Sequence, residues 1–325
     1  MSYKPPYTIN SKMLDYVSKI MKNMGQISEK NRLDNKPKLR KTNKINSIYS
    51  SLAIENNSLS KEQVKDIING KLVIGPAREI LEVKNAIKCY DDILNIDPFK
   101  VAELLKYHGI MMKGLIDDAG MFRNQSEGVY DGDNVIFISP PKDRVPHLID
   151  QLFDYLNNYE ENILIKSCVF HYEFEFIHPF SDGNGRMGRL FQTCLLKTEE
   201  KLFAFLPIES IIKERQQEYY NAISTCNTNG NCDVFIEFML DAIYETLERT
   251  KKNNYNEDYS IQVKKILNIM KDGVSYTTKE LLNLLKMKSR SSFKKNYLDP
   301  AMELGLIKMT IPDSPRSKNQ KYTKA

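Results

Sequence analysis

The sequence predicts a mainly α-helical chain, interrupted once by a β-hairpin and followed by a small α+β domain at the C-terminal end. Three observations carry that reading. Apolar residues recur at i, i+3 and i+4 through most of the 325 residues, the spacing of one buried helical face. The runs Gly128–Tyr130 and Val135–Ile138 flank the turn residues Asp131, Gly132, Asp133 and Asn134, which is a hairpin pattern. Charge also changes along the chain. Residues 258–325 hold 14 basic and 6 acidic side chains, a balance of +8; the remainder holds 33 and 36, a balance of −3. The expected division is an N-terminal helix and linker (1–37), a core (38–252) and a C-terminal domain (259–325).

In order, Met13, Leu14, Val17, Ile20 and Met21 predict a first amphipathic helix, followed by a polar linker. Leu39 to about Ile54 gives a second, with Ile45, Ile48, Tyr49 and Leu52 on one face. At its end Ser51 and Glu55 share a face, and Asn56 suits the left-handed stop of a helix. Ser60–Ile68, Arg78–Leu94 and a helix opened by Pro98 follow, the last carrying His108 as a core histidine. After the hairpin, Asp143–Asn157 and an apolar run through Ile163, Cys168, Val169, Tyr172 and Phe176 are helical, with His147 facing solvent and His171 in the core. Beyond Leu190 come an outgoing helix to about Thr198, Glu209–Ser224 and Val234–Thr250, then a polar stretch, Lys251–Asp258. In the last segment, Ile261–Met270, a helix capped by Thr278 and the basic Ser289–Tyr297 precede short strands at Leu306–Met309 and Lys321–Thr323.

The chemistry concentrates in His178-Pro179-Phe180-Ser181-Asp182-Gly183-Asn184-Gly185-Arg186-Met187-Gly188-Arg189. Pro179 pushes His178 out of the helical region and stops the incoming helix. Gly183 and Gly185 permit positive φ and let backbone N–H groups converge on an anion. The next helix, expected from about Arg186, adds the dipole of its N-terminus. Arg186 and Arg189, one turn apart, can face one polyphosphate. Asp182 is a hard oxygen donor suited to Mg²⁺, and Asn184 can donate to a phosphate oxygen. His178 titrates near neutrality and can take a proton from an attacking hydroxyl. Phe180 is the expected core plug beneath the loop.

This stretch matches, at every defined position, the signature His-x-Phe-x-Asp/Glu-Gly-Asn-Gly-Arg-x-x-Arg, and so resembles the Fic family. The resemblance implies transfer of AMP from ATP to a Tyr, Thr or Ser hydroxyl of a target protein or of the chain itself. His178 would be the base, Asp182 the Mg²⁺ ligand, Asn184, Gly185 and Arg186 the α/β-phosphate contacts on a loop shaped by Gly183, and Arg189 the γ-phosphate grip. Ser51-Leu52-Ala53-Ile54-Glu55-Asn56 resembles the family's inhibitory Ser/Thr-x-x-x-Glu-Gly/Asn motif, which implies that Glu55 pairs with Arg189. Gly120–Arg123 resembles the Gly-x-Tyr/Phe-Arg turn, and the hairpin the flap over the site, with Val129 and Tyr130 facing the target. Arg215–Ile223 resembles the Arg-x-x-Tyr-Tyr-x-x-Leu helix, which points to Tyr219 and Asn227 for the adenine, with Tyr220 as the rival aromatic. The family's Asn-x-Gly-Asp is here stretched to Asn227–Asp233.

The C-terminal segment resembles the winged helix often appended to such cores, through Tyr297–Pro300 and Leu304–Ile307. Its basic helix carries Arg290, Lys294 and Lys295, and the fold alone does not decide between DNA and a protein partner. Two other readings stand beside AMP transfer. One is AMP removal or another nucleotide or phosphate transfer on the same fold, although phosphate-transferring relatives place Lys where Gly185 stands. The other is a DNA-binding regulator with a nucleotide-sensing core. Five scattered cysteines without a Cys-x-x-Cys pair argue against a disulfide framework or zinc site and for a reducing cytoplasm. The absence of a long apolar run predicts a chain with no membrane partner. Oligomeric state is not encoded in any pattern here, so self-association stays open.

Overall fold

A computed structural model describes residues 3–30, 37–125, 128–131, 134–256, 260–303, 306–312, 314 and 317–324. The chain divides into two units, Met1–Lys251 and Lys252–Ala325. In the first, α1 (Ser11–Lys30), α2 (Pro37–Ile54), α3 (Lys61–Ile68), α4 (Ala77–Asp91) and α5 (Val101–Met111) precede β1 (Gly128–Asp131) and β2 (Asn134–Ile138). Then come α6 (Val145–Asn158), α7 (Ile163–Ile177), α8 (Asn184–Glu199), α9 (Ile208–Glu214), α10 (Gln216–Asn229) and α11 (Asp233–Asn256), the last running past the predicted stop at Thr250 and past the unit boundary at Lys251.

The core is built around α7 and α8. Helix α7 is apolar on nearly every side and buried along most of its length, as a helix without a polar face must be; α8 is equally buried but carries Asn184, Arg186, Arg189, Gln192 and Lys197 inside. Gly188 lets them approach: a Cβ there would lie 3.0 Å from Glu175 Oε1 and 3.0 Å from His171 Cδ2. The lysine near the end of α8, Lys197, is buried with its ammonium on the carbonyls of Ile93 and Ile96, partners that a buried charge requires. Helix α1 is longer than predicted and belongs to this unit. It buries Met13, Ile20, Met24 and Ile27, and Asn23 donates to Glu248 of α11 at 2.7 Å. The linker expected after it lies at 31–36, outside the described residues.

The hairpin forms where predicted, with Val129 opposite Phe137 and Tyr130 opposite Val135, and a bulge between Val129 and Tyr130. Turn residues 132 and 133 lie outside the described residues. Two residues past the end of α2, Asn56 takes φ 63°, as expected of asparagine in a C-terminal stop. The last carbonyl of α2, that of Ile54, accepts from Gln216 Nε2 of α10 at 3.0 Å.

The second unit holds α12 (Ile261–Ile269), α13 (Thr278–Leu284), α14 (Arg290–Phe293), α15 (Asp299–Glu303), β3 (Ile307–Met309) and β4 (Tyr322–Lys324). The cap of α13 is Thr277 and not Thr278: its hydroxyl accepts from the Glu280 N–H while Glu280 reaches back, a reciprocal capping box. The predicted basic helix is broken into α14 and a π-turn, Lys294–Leu298. Val263, Ile266, Leu281, Phe293, Leu298 and Ile307 form a separate small core, while Arg290, Lys294 and Lys295 are exposed. Among the described residues, no helix is long and apolar enough to cross a membrane.

Candidate active site

The site begins where α7 stops. His178 takes the left-handed conformation (φ 50°, ψ 61°) while its N–H still bonds to the Phe174 carbonyl at 3.0 Å. That turn redirects the chain and leaves the half-buried imidazole at the head of the loop. Arg123 holds the stop in place. Its buried guanidinium donates to the carbonyls of His178 (2.7 Å), Ile177 (3.4 Å), Gln125 (2.8 Å) and Pro140 (2.5 Å). One cation thus satisfies orphan carbonyls of α7 and ties that helix to both ends of the hairpin. The motif around Arg123 was legible, but this role was not.

Beneath the loop, Phe180 is fully buried and stacks on His108, with ring centroids 3.6 Å apart. His108 Nδ1 accepts the Gly120 N–H at 2.9 Å. The assigned tautomer therefore carries its proton on Nε2 and donates to the Asp182 carbonyl at 3.0 Å. Burial pushes the pKa of this imidazole down to about 4, so it stays neutral and braces the loop. Asn184 departs from its predicted part. Its amide is spent on Phe180, accepting from the N–H at 2.9 Å and donating to the carbonyl at 2.7 Å. Its backbone N–H, in the first turn of α8, has no intrahelical acceptor.

Helix α8 starts at Asn184, two residues before the expected start, because Gly183 takes the cap position with φ 88°. A Cβ on Gly183 would also lie 2.8 Å from Met112 Sδ. The first N–H groups of α8 have no intrahelical acceptor and carry the positive end of the dipole. Over this terminus lies the carboxylate of Glu55. A Cβ on Gly185 would fall 2.3 Å from Glu55 Oε1 and 2.9 Å from Arg189 Nη1.

The two arginines of the loop differ in their partners. Arg189 is 1% exposed and donates to Glu55 Oε1 at 2.6 Å, to the Ser51 carbonyl at 3.0 Å and to Ser51 Oγ at 3.1 Å. Burial opposes its charge, but Glu55 chiefly outweighs that and holds its pKa above the ordinary value. Arg186 pairs with Asp182 Oδ1 at 2.6 Å and lies 3.7 Å from Glu82. Its Nε is buried without a hydrogen-bond partner. Asp182 also faces Arg78 at 3.2 Å. Arg78 and Glu82 come from α4, about a hundred residues earlier, and no local motif announced them.

Helix α10 presents its two tyrosines differently. Tyr219 is buried, its hydroxyl 3.1 Å from His171 Nε2, and offers no open face to a base. Tyr220 is 43% exposed and reaches toward the Ile54 carbonyl at 3.5 Å. Asn227 lies two turns farther on and accepts from the Tyr172 hydroxyl at 2.9 Å. Val129 and Tyr130 lie on β1, which pairs with β2 alone among the described residues.

Comparison with known proteins places this geometry. The Fic/DOC family matches residues 98–196 and the C-terminal domain of filamentation induced by cAMP protein Fic-like proteins matches 261–323. A solved Fic family protein from Desulfovibrio desulfuricans G20 is 40% identical with a TM-score of 0.76, over 99% of this chain and 98% of that one. The curated protein adenylyltransferase Fic of Culex quinquefasciatus is 30% identical over 217 residues, 63% of this chain and 41% of that protein. That of Aedes aegypti is 29% identical over 216 residues, with the same coverage. The chain thus spans about two fifths of the length of these curated relatives. Fic-1 (aa134–508) from C. elegans, 19% identical with a TM-score of 0.58 over 76% of this chain and 73% of that one, shares the fold.

Proposed function

The chain belongs to the Fic family, and from that premise we propose that it transfers AMP from ATP to a hydroxyl side chain of a target protein and of itself, under restraint by Glu55. The observation that carries this reading is the Glu55 carboxylate, gripped by Arg189 over the bare start of α8. A carboxylate held where a helix N-terminus and a buried guanidinium converge stands where an anionic group of a substrate would bind.

In this reading the N–H groups of Asn184, Gly185 and Arg186 and the unpartnered Arg186 Nε take the inner phosphates. Arg189 takes the outermost once Glu55 has left. Among the described residues no cluster of three or more His, Cys, Asp or Glu could hold a metal. Magnesium fits nonetheless, because it is commonly held by one carboxylate, waters and substrate phosphates. Asp182, 39% exposed, is the residue that would hold it. When bound, the ion would neutralise phosphate charge. His178 would accept the proton of the attacking hydroxyl, whose oxygen bonds to the α-phosphorus as pyrophosphate departs. The open edge of β1, with Val129 and Tyr130, suits an extended target segment added as a strand. The exposed Arg290, Lys294 and Lys295 leave DNA as a second partner for the C-terminal unit, to be tested by salt-sensitive duplex binding.

Intact-mass measurement of the full chain after incubation with ATP and Mg²⁺ tests the main reading. Glu55→Gly gains one adenylyl group, and the gain disappears with EDTA or in the Glu55→Gly, His178→Ala double variant. A gain that survives loss of His178, or no gain at all, overturns it.

A further inference from the structure

Arg40, Lys44, Ser47, Ser51 and Glu55 follow one another at i+4, i+3, i+4 and i+4, a single stripe along α2. The last two grip Arg189. The first three, with Lys41, form one wall of a cavity of about 450 Å³ whose other walls include Tyr90 and Asp91 of α4 and Phe205. We propose that this cavity is a regulatory site for an organic anion with an apolar body, and that its occupant tightens the hold of α2 on Arg189. The second half of the proposal rests on the inhibitory reading of Glu55.

The chemistry of the walls selects the ligand class. Arg40, Lys41 and Lys44 face a single acid, Asp91, which is paired with Lys44. The excess is positive, and Arg40 and Lys44 repel along the helix at i, i+4; an anion between them relieves that repulsion. Arg40 lies over the Phe205 ring, 4.0 Å from its centroid, and Ile68, Ile93 and Leu94 complete an apolar lining. The volume falls within the range of small-molecule sites.

The coupling runs through a buried polar chain. Arg189 donates to Ser51 Oγ at 3.1 Å, and Ser51 and Ser47, both buried, stand one turn apart on α2. Ser47 donates to one oxygen of Glu209 at 2.8 Å, and Tyr90 donates to the other at 2.7 Å. Glu209 is 1% exposed. Ser47 and Tyr90 line the cavity, so the chain starts at the grip on Arg189 and ends at the cavity wall. The walls come from separate elements and meet only while α2 is docked. A ligand touching all of them binds that state alone and favours it by mass action.

The test uses 8-anilinonaphthalene-1-sulfonate, an aromatic sulfonate, on the full chain. Its fluorescence titrates one saturable site in the wild type, weakened about tenfold or more in Lys41→Glu. At about ten times its dissociation constant it slows AMP transfer by the wild type up to about tenfold. It leaves Glu55→Gly, which has no grip to tighten, unchanged. Equal slowing of Glu55→Gly places the probe in the nucleotide cleft and overturns the proposal. So does equal affinity for Lys41→Glu, or no saturable site. Failure of Glu55→Gly to outpace the wild type without probe would sink the inhibitory reading separately, while the Lys41→Glu titration still decides whether the cavity takes anions.

Discussion

Replacing Glu55 with glycine removes one charge-assisted contact from an otherwise buried cation. Arg189 is 1% exposed and Glu55 36%, at 2.6 Å. A hydrogen bond between charged groups contributes about 1.5–3 kcal/mol, and the partly open carboxylate draws the value toward the middle, about 2 kcal/mol. If Glu55 and phosphate compete for Arg189, the released population rises about 30-fold, since 1.36 kcal/mol is a factor of ten. Glu55→Gln keeps an acceptor without the charge and should raise transfer about 5-fold. Ser51→Ala, which removes the Nε acceptor, should do about the same. The assay is the initial rate of label incorporation from α-labelled ATP at saturating ATP and Mg²⁺. A glycine variant no faster than wild type refutes the competition, as does a glutamine variant faster than glycine.

Further predictions concern the scaffold. His108 has a folded-state pKa of about 4 against an ordinary 6.5, so as pH falls below 6.5 the unfolded chain takes the proton first and stability drops, levelling near pH 4. Between pH 8 and pH 5, urea unfolding of the wild type should lose about 2 kcal/mol more than that of His108→Gln. Glu173 runs the other way: burial raises its pKa to about 7 despite a hydrogen bond from Tyr3. Stability from this group is therefore present below pH 4.5 and lost as pH rises through 7, and Glu173→Gln should be more stable than wild type at pH 8 by up to about 3 kcal/mol. Arg123→Lys leaves buried carbonyls of α7 and the hairpin unpaired; a stability loss of about 3 kcal/mol in urea unfolding is expected, with a fall in transfer rate.

Much of the site was legible because its signature is local. The stop at His178, the plug at Phe180 and the glycine turn depend on neighbours a few residues away, as does the left-handed Asn56. The hairpin follows from its own turn residues. What escaped the sequence depends on direction and distance. Nothing in Asn184 itself reveals that its amide turns back onto Phe180, and a Tyr-Tyr pair does not disclose which ring faces the core. Arg78 and Glu82 reach the loop because α4 packs there, across about a hundred residues. Helix α7 shows the same limit for histidines: His171 and His178 occupy related turns, yet one is enclosed by Gln192 and Tyr219 and the other lies at the loop.

Gly185 binds two fates together. Its missing side chain is the space into which the Glu55 carboxylate settles, and in the proposed reaction the same notch admits the nucleotide. A larger residue there would evict the occupant, and in the proposed transfer of AMP it would crowd the visitor as well. Unrestrained descendants should carry their changes on the helix that delivers the acid, and leave the notch bare.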